Sequence, residues 1–419
     1  MKKTSSKWVV WLLFGCAFMI AFFHRYAIGV ISDLLRADLA LTAGEVSLLA
    51  SLYFYVYGLL QIPLGMVLDA YGPRKVVIIG MGAVALGSAI FGISGTTMML
   101  YTARTLIGFG SATVFISLLK IQAMWFRPTE FATMAGMTSV IGNLGALMAT
   151  SPLVFTVAWI GWRSTYLLLA VFPLVIAILL FSFVQDKPPQ SEHYEAVAST
   201  EIKENGSPGM MSGLTEVLTN RSTWVNVIIL FMVVGSYMSF SGLWGAPYLT
   251  HVFQISLERA ASYIFVFIIA TIAGSVLIGM IADRTGKRKP IIQLGIIVQI
   301  AAWGLLIFVA PHIYRPWLVT LIMIVLGFSS ITTMICFTNI KEAIKPAHVG
   351  IATGVINVSP FFGTAFLNSL VARMLSNQVT SAAFQRGFSM YFMAGLIALG
   401  ASVFMVETSP EEQGSVEDN

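Results

Sequence analysis

Apolar stretches of about twenty residues recur along nearly the whole chain, and a helix needs roughly this length to cross the hydrocarbon core of a bilayer. Twelve segments of the 419-residue chain are long and apolar enough. They cover about 8–32, 45–68, 76–96, 98–123, 131–156, 164–184, 223–246, 260–282, 290–310, 316–338, 349–373 and 387–406. We therefore predict an all-α membrane protein with twelve transmembrane helices and the lipid bilayer as its immediate partner.

The composition agrees with this prediction. Hydrophobic residues make up 57% of the chain and charged residues 10%, whereas about 25% are charged in an average soluble domain. The net charge of +5 comes from loop residues without a basic, aromatic-rich patch, so no nucleic-acid partner is predicted. Cys16 and Cys336 lie far apart in apolar runs, which predicts neither a disulfide framework nor a metal site. We find no nucleophile–base constellation and no phosphate-binding glycine loop, and predict no enzymatic activity and no cofactor.

A polar segment in the middle of the chain divides the spans six and six. We predict an N-terminal six-helix bundle over 1–184, a cytoplasmic linker over 185–222, a C-terminal bundle over 223–406 and a cytoplasmic acidic tail over 407–419. With the N-terminus inside, fifteen lysines and arginines fall on the cytoplasmic side and six outside. Because cytoplasmic loops carry the excess of basic residues, both termini are predicted to be cytoplasmic. The short loops favour a bacterial inner membrane.

One charged turn occurs twice. The stretch GMVLDAYGPRK at 65–75 joins predicted spans 2 and 3, and GMIADRTGKRK at 279–289 joins spans 8 and 9. The two turns lie 214 residues apart at the same place in each half, so the bundles are predicted to be pseudo-symmetric and equally oriented. Glycine permits a tight turn, and the basic residues keep it inside. The residues in question are Gly65, Asp69, Gly72, Arg74, Gly279, Asp283, Arg284 and Arg288.

Together with RTLIGFGSA in span 4 and GWR at 161–163, these turns resemble the signature motifs of the major facilitator superfamily (MFS) of secondary transporters. The resemblance covers nearly the whole chain outside the linker and tail. It implies the two-bundle fold of that superfamily and transport by alternating access. The first turn departs from the usual motif, because Ala70 stands where an arginine is usual.

The resemblance also implies a conformational latch formed by the two turns. Asp69 would then face the start of span 11, after Pro346, and Asp283 the start of span 5, after Pro128. The positive end of a helix suits a carboxylate in that position. A plainer interpretation of the same residues is a topogenic turn that keeps positive charge inside.

The charges inside the spans are all basic and all lie in the first half: His24 and Arg25 in span 1, Arg104 and Lys120 in span 4. Intramembrane ionisable residues are rare and usually functional. In the superfamily that this chain resembles, spans 1 and 4 line the central cavity. The most economical partner for a guanidinium there is a carboxylate or phosphate of the solute. We therefore predict an anionic or zwitterionic solute with Arg25 as its main anchor.

Structural alternatives accompany each of these residues. Arg25 and Lys120 can snorkel towards the membrane surface, Arg104 can bond backbone carbonyls, and His24 can be a structural histidine. Neutral polar residues of the second half can bind the rest of the solute or join helices to one another. The predicted solute-binding residues are Arg25, Arg104, Tyr237, Trp244, Thr333 and Asn357, and the candidates for proton coupling are His24, Asp33 and Glu45.

The resulting functional prediction is a monomeric secondary active or facilitated transporter that takes up a small organic anion or zwitterionic metabolite, such as a carboxylate or an amino acid, with symport as its candidate mode. Protons are the candidate coupling ion. The alternative within the superfamily is a metabolite or drug exporter. A different class is also open, a non-transporting receptor on a transporter fold, which predicts an extra domain or a long tail.

Overall fold

A computed structural model describes residues 6–127, 130–185, 210–285, 288–329, 332–345, 348–375 and 380–407. Within these ranges the regular structure is helical throughout and contains no strand. The predicted all-α class is therefore confirmed. Residues 186–209 of the predicted linker and the acidic tail beyond Glu407 lie outside the described residues.

Six helices form the first half of the described chain: α1 Lys7–Leu39, α2 Ala43–Tyr71, α3 Pro73–Gly92, α4 Thr97–Trp125, α5 Phe131–Met148 and α6 Ser151–Phe183. Eight follow: α7 Met210–Thr219, α8 Arg221–Phe253, α9 Leu257–Thr285, α10 Lys289–Val309, α11 Pro316–Ser329, α12 Thr332–Ala343, α13 Val349–Leu375 and α14 Ser381–Val403. Two segments of α8 and the end of α10 are π-helical: Leu230–Val234, Phe240–Trp244 and Leu305–Val309.

Ten helical stretches of the described chain are long and apolar enough to cross a membrane. One of them, Gly136–Phe183, has 48 residues and contains two predicted spans. It is broken at Gly161, where φ is 76° and ψ is 161°. The tenth predicted span falls on α11 and α12, of which α11 is apolar but shorter. The twelve predicted transmembrane helices are thereby confirmed.

Two compact units make up the chain. One consists of Met1–Leu41 with Leu49–Gly206, and the other of Thr42–Leu48 with Ser207–Asn419. In the first unit, buried apolar side chains of α1, α3, α4 and α6 share one core. Close helix contacts depend on glycine: a Cβ atom at Gly110 of α4 would clash with the carbonyl of Gly80 on α3. Small residues at such contacts are typical of helix packing in membranes.

The second unit has its own core, to which α8, α10, α12, α13 and α14 contribute. Helices α8 and α13 approach each other closely, because a Cβ atom at Gly363 would clash with the carbonyl of Phe231. Phe231 lies in the first π-helical segment of α8. Such π-helical turns inside longer helices frequently mark functional sites.

Helix α7 lies inside the segment predicted as a linker. Its Glu216 carboxylate lies 3.0 Å from Nδ1 of His348 and 3.4 Å from Nζ of Lys345. Asn220 then caps α8, since its Oδ1 accepts a hydrogen bond of 2.8 Å from the N–H of Ser222. The polar composition of the linker concealed this short helix, which belongs to the second unit.

Candidate functional site

Two arginines of the first unit lie against one tyrosine ring. The guanidinium carbon of Arg25 on α1 is 6.0 Å from the ring centre of Tyr53 on α2, and that of Arg104 on α4 is 4.8 Å from it. Arg25 is 4% exposed, and Arg104 and Tyr53 are fully buried. Cation–π attraction favours both contacts. The structure therefore brings together the two arginines that the sequence singles out.

Arg25 lies in an aromatic cage. Its guanidinium carbon is 4.4 Å from the ring centre of Phe22 and 5.0 Å from that of Tyr57. The guanidinium also donates hydrogen bonds to the hydroxyls of Tyr53 and Tyr57, and the Tyr53 hydroxyl donates to the Ala21 carbonyl at 2.9 Å. Arg25 is thus held inside the first unit rather than extended to its surface.

Arg104 holds the backbone of α1. Its Nη1 donates a 2.7 Å hydrogen bond to the carbonyl of His24. Its Nε and Nη2 have no hydrogen-bond partner among the described residues. The helix approach that brings it there depends on Gly108, one turn further along α4, where a Cβ atom would lie 3.1 Å from Cα of Tyr53. The bond to a backbone carbonyl is the alternative that the sequence leaves open.

The His24 side chain points to the other side of α1 from Arg25. Its Nε2 lies 3.3 Å from Oγ of Ser88 on α3, and its ring centre is 6.1 Å from that of Tyr166 on α6. All three side chains are fully buried. Nδ1 of His24 and the hydroxyl of Tyr166 find no hydrogen-bond partner in the described part of the chain. These groups and Arg104 form a buried polar cluster.

The two carboxyl candidates for proton coupling lie at helix ends. Oδ1 of Asp33 is 3.8 Å from Nη1 of Arg36 one turn along α1. Glu45 and Thr42 form a capping box at the start of α2: Glu45 Oε2 accepts from the Thr42 N–H at 2.8 Å, and Thr42 Oγ1 accepts from the Glu45 N–H at 3.2 Å. Both arrangements are common in helix structure, and the coupling role of these residues stays a prediction.

In the second unit, the predicted aromatic residues lie on α8 near its π-helical segments. Tyr237 stacks on Phe267 of α9, with ring centres 4.9 Å apart. Trp244 is buried, and its Nε1 donates to the carbonyl of Asn368 on α13 at 3.3 Å. Asn357 is half-buried on α13, and the side chain of Thr333 lies outside the described structure. Solute contact by these residues remains a prediction.

A polar chain joins three helices of the second unit. Ser239 on α8 donates a 2.7 Å hydrogen bond to Oδ1 of Asn368, and its hydroxyl is 2.7 Å from that of Tyr391 on α14. All three side chains are fully buried. A single tyrosine inside an apolar span carries no sequence signal of such a partner, so only the fold reveals it.

The two charged turns are described in part. Gly72 has a φ of 80° between α2 and α3, a conformation that glycine adopts without strain, while Gly65 and Gly279 lie within helices. Arg74 donates to the carbonyls of Leu180 and Phe181 at the end of α6, at 3.3 and 2.7 Å. The side chains of Asp69, Asp283 and Arg284 lie outside the described structure. The latch stays a prediction.

The second turn makes its own contacts. Nη2 of Arg288 lies 3.2 Å from the Glu342 carboxylate, and Glu407 accepts a 2.6 Å hydrogen bond from the Arg288 N–H. Lys289 donates to the Val403 carbonyl at the end of α14 at 2.8 Å. The basic residues of both turns therefore close the C-terminal end of the last helix in their own unit, where exposed carbonyls favour cations.

Glu130, just before α5, provides a related contact in the first unit. Its carboxylate accepts the N–H of Arg127 at 2.9 Å and receives Nζ of Lys7 at 2.9 Å. The backbone hydrogen bond, followed by the lysine, holds the pKa of Glu130 below its usual value, because both favour the charged carboxylate.

Comparison with known proteins gives the family. The sequence profile described as Major Facilitator Superfamily matches residues 13–367. The chain belongs to the Major Facilitator Superfamily. This confirms the family that the two charged turns indicate, and it is a superfamily of transporters.

Curated relatives in the superfamily are distant but nearly full-length. A probable sulfoacetate transporter of Cupriavidus necator is 24% identical over 365 residues, which is 84% of this chain and 83% of the relative. A hexuronate transporter of Bacillus subtilis is 24% identical over 381 residues, or 88% of this chain and 89% of the relative.

A solved structure of the superfamily confirms the fold. The crystal structure of a D-xylose–proton symporter covers 97% of this chain and 98% of its own length, with a TM-score of 0.74 and 17% sequence identity. Two six-helix bundles of the MFS type are therefore the architecture of this transmembrane protein.

Proposed function

We propose that this transporter carries a small organic anion or a zwitterionic metabolite by alternating access, and that Arg25 holds the acidic group of the solute. The observation that carries the proposal is the cage of Phe22, Tyr53 and Tyr57 around the Arg25 guanidinium. These three side chains are uncharged, so they orient the guanidinium without cancelling its charge. A carboxylate or phosphate is the group that such a fork of donors binds most strongly.

The relatives support an anionic solute. Sulfoacetate, in the name of one relative, carries a sulfonate and a carboxylate, and hexuronate, in the name of another, is a sugar carboxylate. Both solutes are small, hydrophilic and negatively charged at neutral pH. An arginine inside a membrane-spanning unit suits that shared chemistry better than the chemistry of a neutral sugar.

We further propose contacts from the remaining predicted residues. Tyr237 and Trp244 would face the uncharged part of the solute, and Thr333 and Asn357 would hydrogen-bond its hydroxyl or amide groups. A direct contact by Arg104 belongs to the same prediction. The bond from Arg104 to the His24 carbonyl favours a supporting role, in which Arg104 fixes the turn of α1 that carries Arg25.

Direction, coupling and location complete the proposal. We propose uptake by a monomer in the inner membrane, with both termini in the cytoplasm; the distribution of basic residues supports this orientation. For proton symport, the candidate carriers are His24, Asp33 and Glu45. The His24 ring is buried beside the cationic Arg104, Asp33 faces Arg36 and Glu45 caps α2.

The test is uptake of labelled solutes by purified protein in liposomes. Glucuronate and sulfoacetate are offered as anions and glucose as the neutral control. We expect accumulation of at least one anion and none of glucose, and faster uptake when the outside is made acidic. Uptake of glucose alone would contradict the proposed solute class. Anion uptake that ignores the pH gradient would contradict proton symport and leave the solute class standing.

A variant series then tests the anchor. We expect Arg25→Gln to lower anion uptake about 100-fold, in line with the loss of one partner of a buried charge pair. Arg25→Lys keeps the positive charge but loses the forked pair of donors, so its rate of anion uptake should be intermediate. Arg36→Gln on the same helix is the matched control and should transport normally. Normal uptake by a folded Arg25→Gln protein would refute the anchor.

A further inference from the structure

The buried polar cluster of the first unit contains several polar atoms without a hydrogen-bond partner among the described residues. Arg104, Tyr166 and His24 are all 0% or nearly 0% exposed. Nε and Nη2 of Arg104, the hydroxyl of Tyr166 and Nδ1 of His24 have no hydrogen-bond partner in the part of the chain that is described. A buried polar atom is nearly always hydrogen-bonded, so four such atoms in one cluster call for a bound partner, either water or an ion.

The geometry keeps these groups together. Arg104 reaches α1 through its bond to the His24 carbonyl at 2.7 Å, and the His24 ring lies 6.1 Å from that of Tyr166. Tyr166 is also one of the two tyrosines that act electrostatically on Arg104. Phe91 stacks on the Tyr166 ring at 4.1 Å and fixes its orientation. The cluster is therefore built from α1, α4 and α6, with α3 behind it.

The charge of the cluster decides what the ligand is. Arg104 is a buried cation whose contacts in the described structure are a backbone carbonyl and a tyrosine ring. A water molecule would satisfy hydrogen bonds but would leave the charge uncompensated, which is costly in a low-dielectric interior. An anion satisfies the donors and the charge together.

The size of the ligand follows from burial. Arg104, Tyr53, His24 and Tyr166 are each sealed from solvent within the first unit, and the Tyr53 ring lies against the Arg104 guanidinium. An organic solute cannot occupy such a place without unpacking these side chains. A monatomic anion, such as a halide, needs the least room of the anions that would satisfy both the polar atoms and the charge.

We propose that Arg104, Tyr166 and His24 form an enclosed site for a small inorganic anion, with chloride as its occupant, inside the first unit and separate from the solute anchor Arg25. Nδ1 of His24 donates when the Ser88 hydroxyl, 3.3 Å away, donates to Nε2, so Ser88 sets the tautomer that the anion needs. The bound anion neutralises Arg104 and thereby stabilises the turn of α1 that carries Arg25. This site does not depend on the proposed solute.

The direct test is anomalous scattering from crystals of the full chain grown in sodium bromide. We expect a bromide peak within hydrogen-bond distance of Arg104 and Tyr166. If no bromide peak lies in the cluster, the proposal is overturned, whether or not bromide binds elsewhere in the protein. Water alone in the cluster at saturating bromide would do the same.

The solution test is thermal unfolding of the purified protein during a chloride titration, with ionic strength held constant by sodium sulfate. We expect saturable stabilisation of the wild type. Tyr166→Phe should weaken the apparent chloride affinity about fivefold, the effect of one neutral hydrogen bond. Tyr391→Phe makes the same change in a buried tyrosine of the second unit and should leave chloride affinity unchanged.

One more variant separates the two sites. Arg25→Gln should lose organic-anion binding while its chloride titration stays as in the wild type. Equal chloride stabilisation of all four proteins, including Tyr166→Phe, would reduce the effect to general salt and refute the enclosed site. Loss of the chloride response in Arg25→Gln alone would assign chloride to the solute anchor instead.

Discussion

The two units share a helix packing scheme but differ in the charge that it encloses. In the first unit, Gly108 of α4 packs against the backbone of Tyr53, and in the second, Gly327 of α11 packs against that of Phe267. Tyr53 and Phe267 therefore occupy corresponding positions. The residue four positions before each glycine is Arg104 in the first unit and Met323 in the second. The two halves therefore share the close backbone contact, but the side chain one turn before the glycine is a cation in the first unit and apolar in the second.

The facing helices differ in the same way. Arg25 lies over Tyr53 in the first unit, whereas Tyr237 lies over Phe267 in the second. One buried polar chain of the second unit is satisfied from within, since Ser239 contacts both Asn368 and Tyr391. A fully satisfied polar network makes a bundle rigid, whereas a buried charge without a charged partner is costly. We therefore expect the first unit to recognise the charge of the solute.

The largest expected effect comes from exchanging the corresponding residues of α4 and α11. Met323→Arg places a guanidinium at a fully buried position, which should cost several kcal/mol or more and prevent recovery of folded protein. Arg104→Met should fold and unfold at no lower temperature than the wild type without chloride, because removing a buried charge is often neutral or stabilising. Fluorescence-detected size exclusion and thermal unfolding measure both. If Met323→Arg and Arg104→Met were equally stable, the two units would tolerate a buried charge equally, which would contradict the comparison.

The next effect tests the packing that the units share. Gly145→Ala would place a Cβ atom against the carbonyl of Met19, and Gly363→Ala would place one against that of Phe231. Each should destabilise its unit by about 1–3 kcal/mol, as overpacking does. Gly136→Ala and Gly354→Ala are controls on the same helices, where a Cβ atom meets nothing within 4 Å. Thermal unfolding of the four variants measures the difference, and equal stability of all four would contradict the close helix approach.

A smaller effect separates satisfied from unsatisfied polar groups. Ser239→Ala removes a hydroxyl that bridges Asn368 and Tyr391 and should destabilise the protein by about 1–3 kcal/mol, since it leaves buried groups unpaired. Ser241→Ala removes a hydroxyl whose hydrogen bond, among the described residues, is to the Tyr237 carbonyl on its own helix, and it serves as the control. Tyr166→Phe, without chloride, should cost little. If Tyr166→Phe destabilised the protein as much as Ser239→Ala, the contrast between the units would fail.

The smallest effect is a pH dependence at the edge of the first unit. The pKa of Glu130 is lowered by the Arg127 N–H and by Lys7 from its ordinary value of about 4.5. Its contribution to stability is therefore complete above that ordinary value and is lost as the pH falls through the lower, folded pKa. Glu130→Gln should unfold at a slightly lower temperature than the wild type at pH 7, and this difference should close as the pH falls below the lowered, folded pKa of Glu130. A difference in unfolding temperature that widens on acidification would contradict the lowered pKa of Glu130.

The spans, their number and the repeat could be predicted from the sequence because each depends on local apolarity or on a short motif. The break between α5 and α6 could not be placed. Span 5 is interrupted at Ala149 and Thr150, beside Pro152, whose ring disfavours a helix interior. Helix α7 was hidden by its polar neighbours. Its apolar positions matter only because α13 lies next to it in the fold.

The candidate site was predicted in its charged part and missed in its aromatic part. Arg25 and Arg104 are conspicuous because charge inside a span is rare. Tyr53 and Tyr57 are ordinary members of an apolar helix, and nothing in their sequence neighbourhood indicates that α2 faces both arginines. Tyr166 and Ser88 were missed for the same reason. Their role depends on contacts among helices that are far apart in the sequence.

A structure of the protein with bound glucuronate or sulfoacetate tests the central claim most directly. The account predicts an acidic group of the solute about 2.7–2.9 Å from the guanidinium nitrogens of Arg25, the distance of a charge-assisted hydrogen bond. An acidic group held instead by Ser239, Asn368 or Tyr237 of the second unit, with Arg25 still enclosed by its aromatic cage, would contradict it.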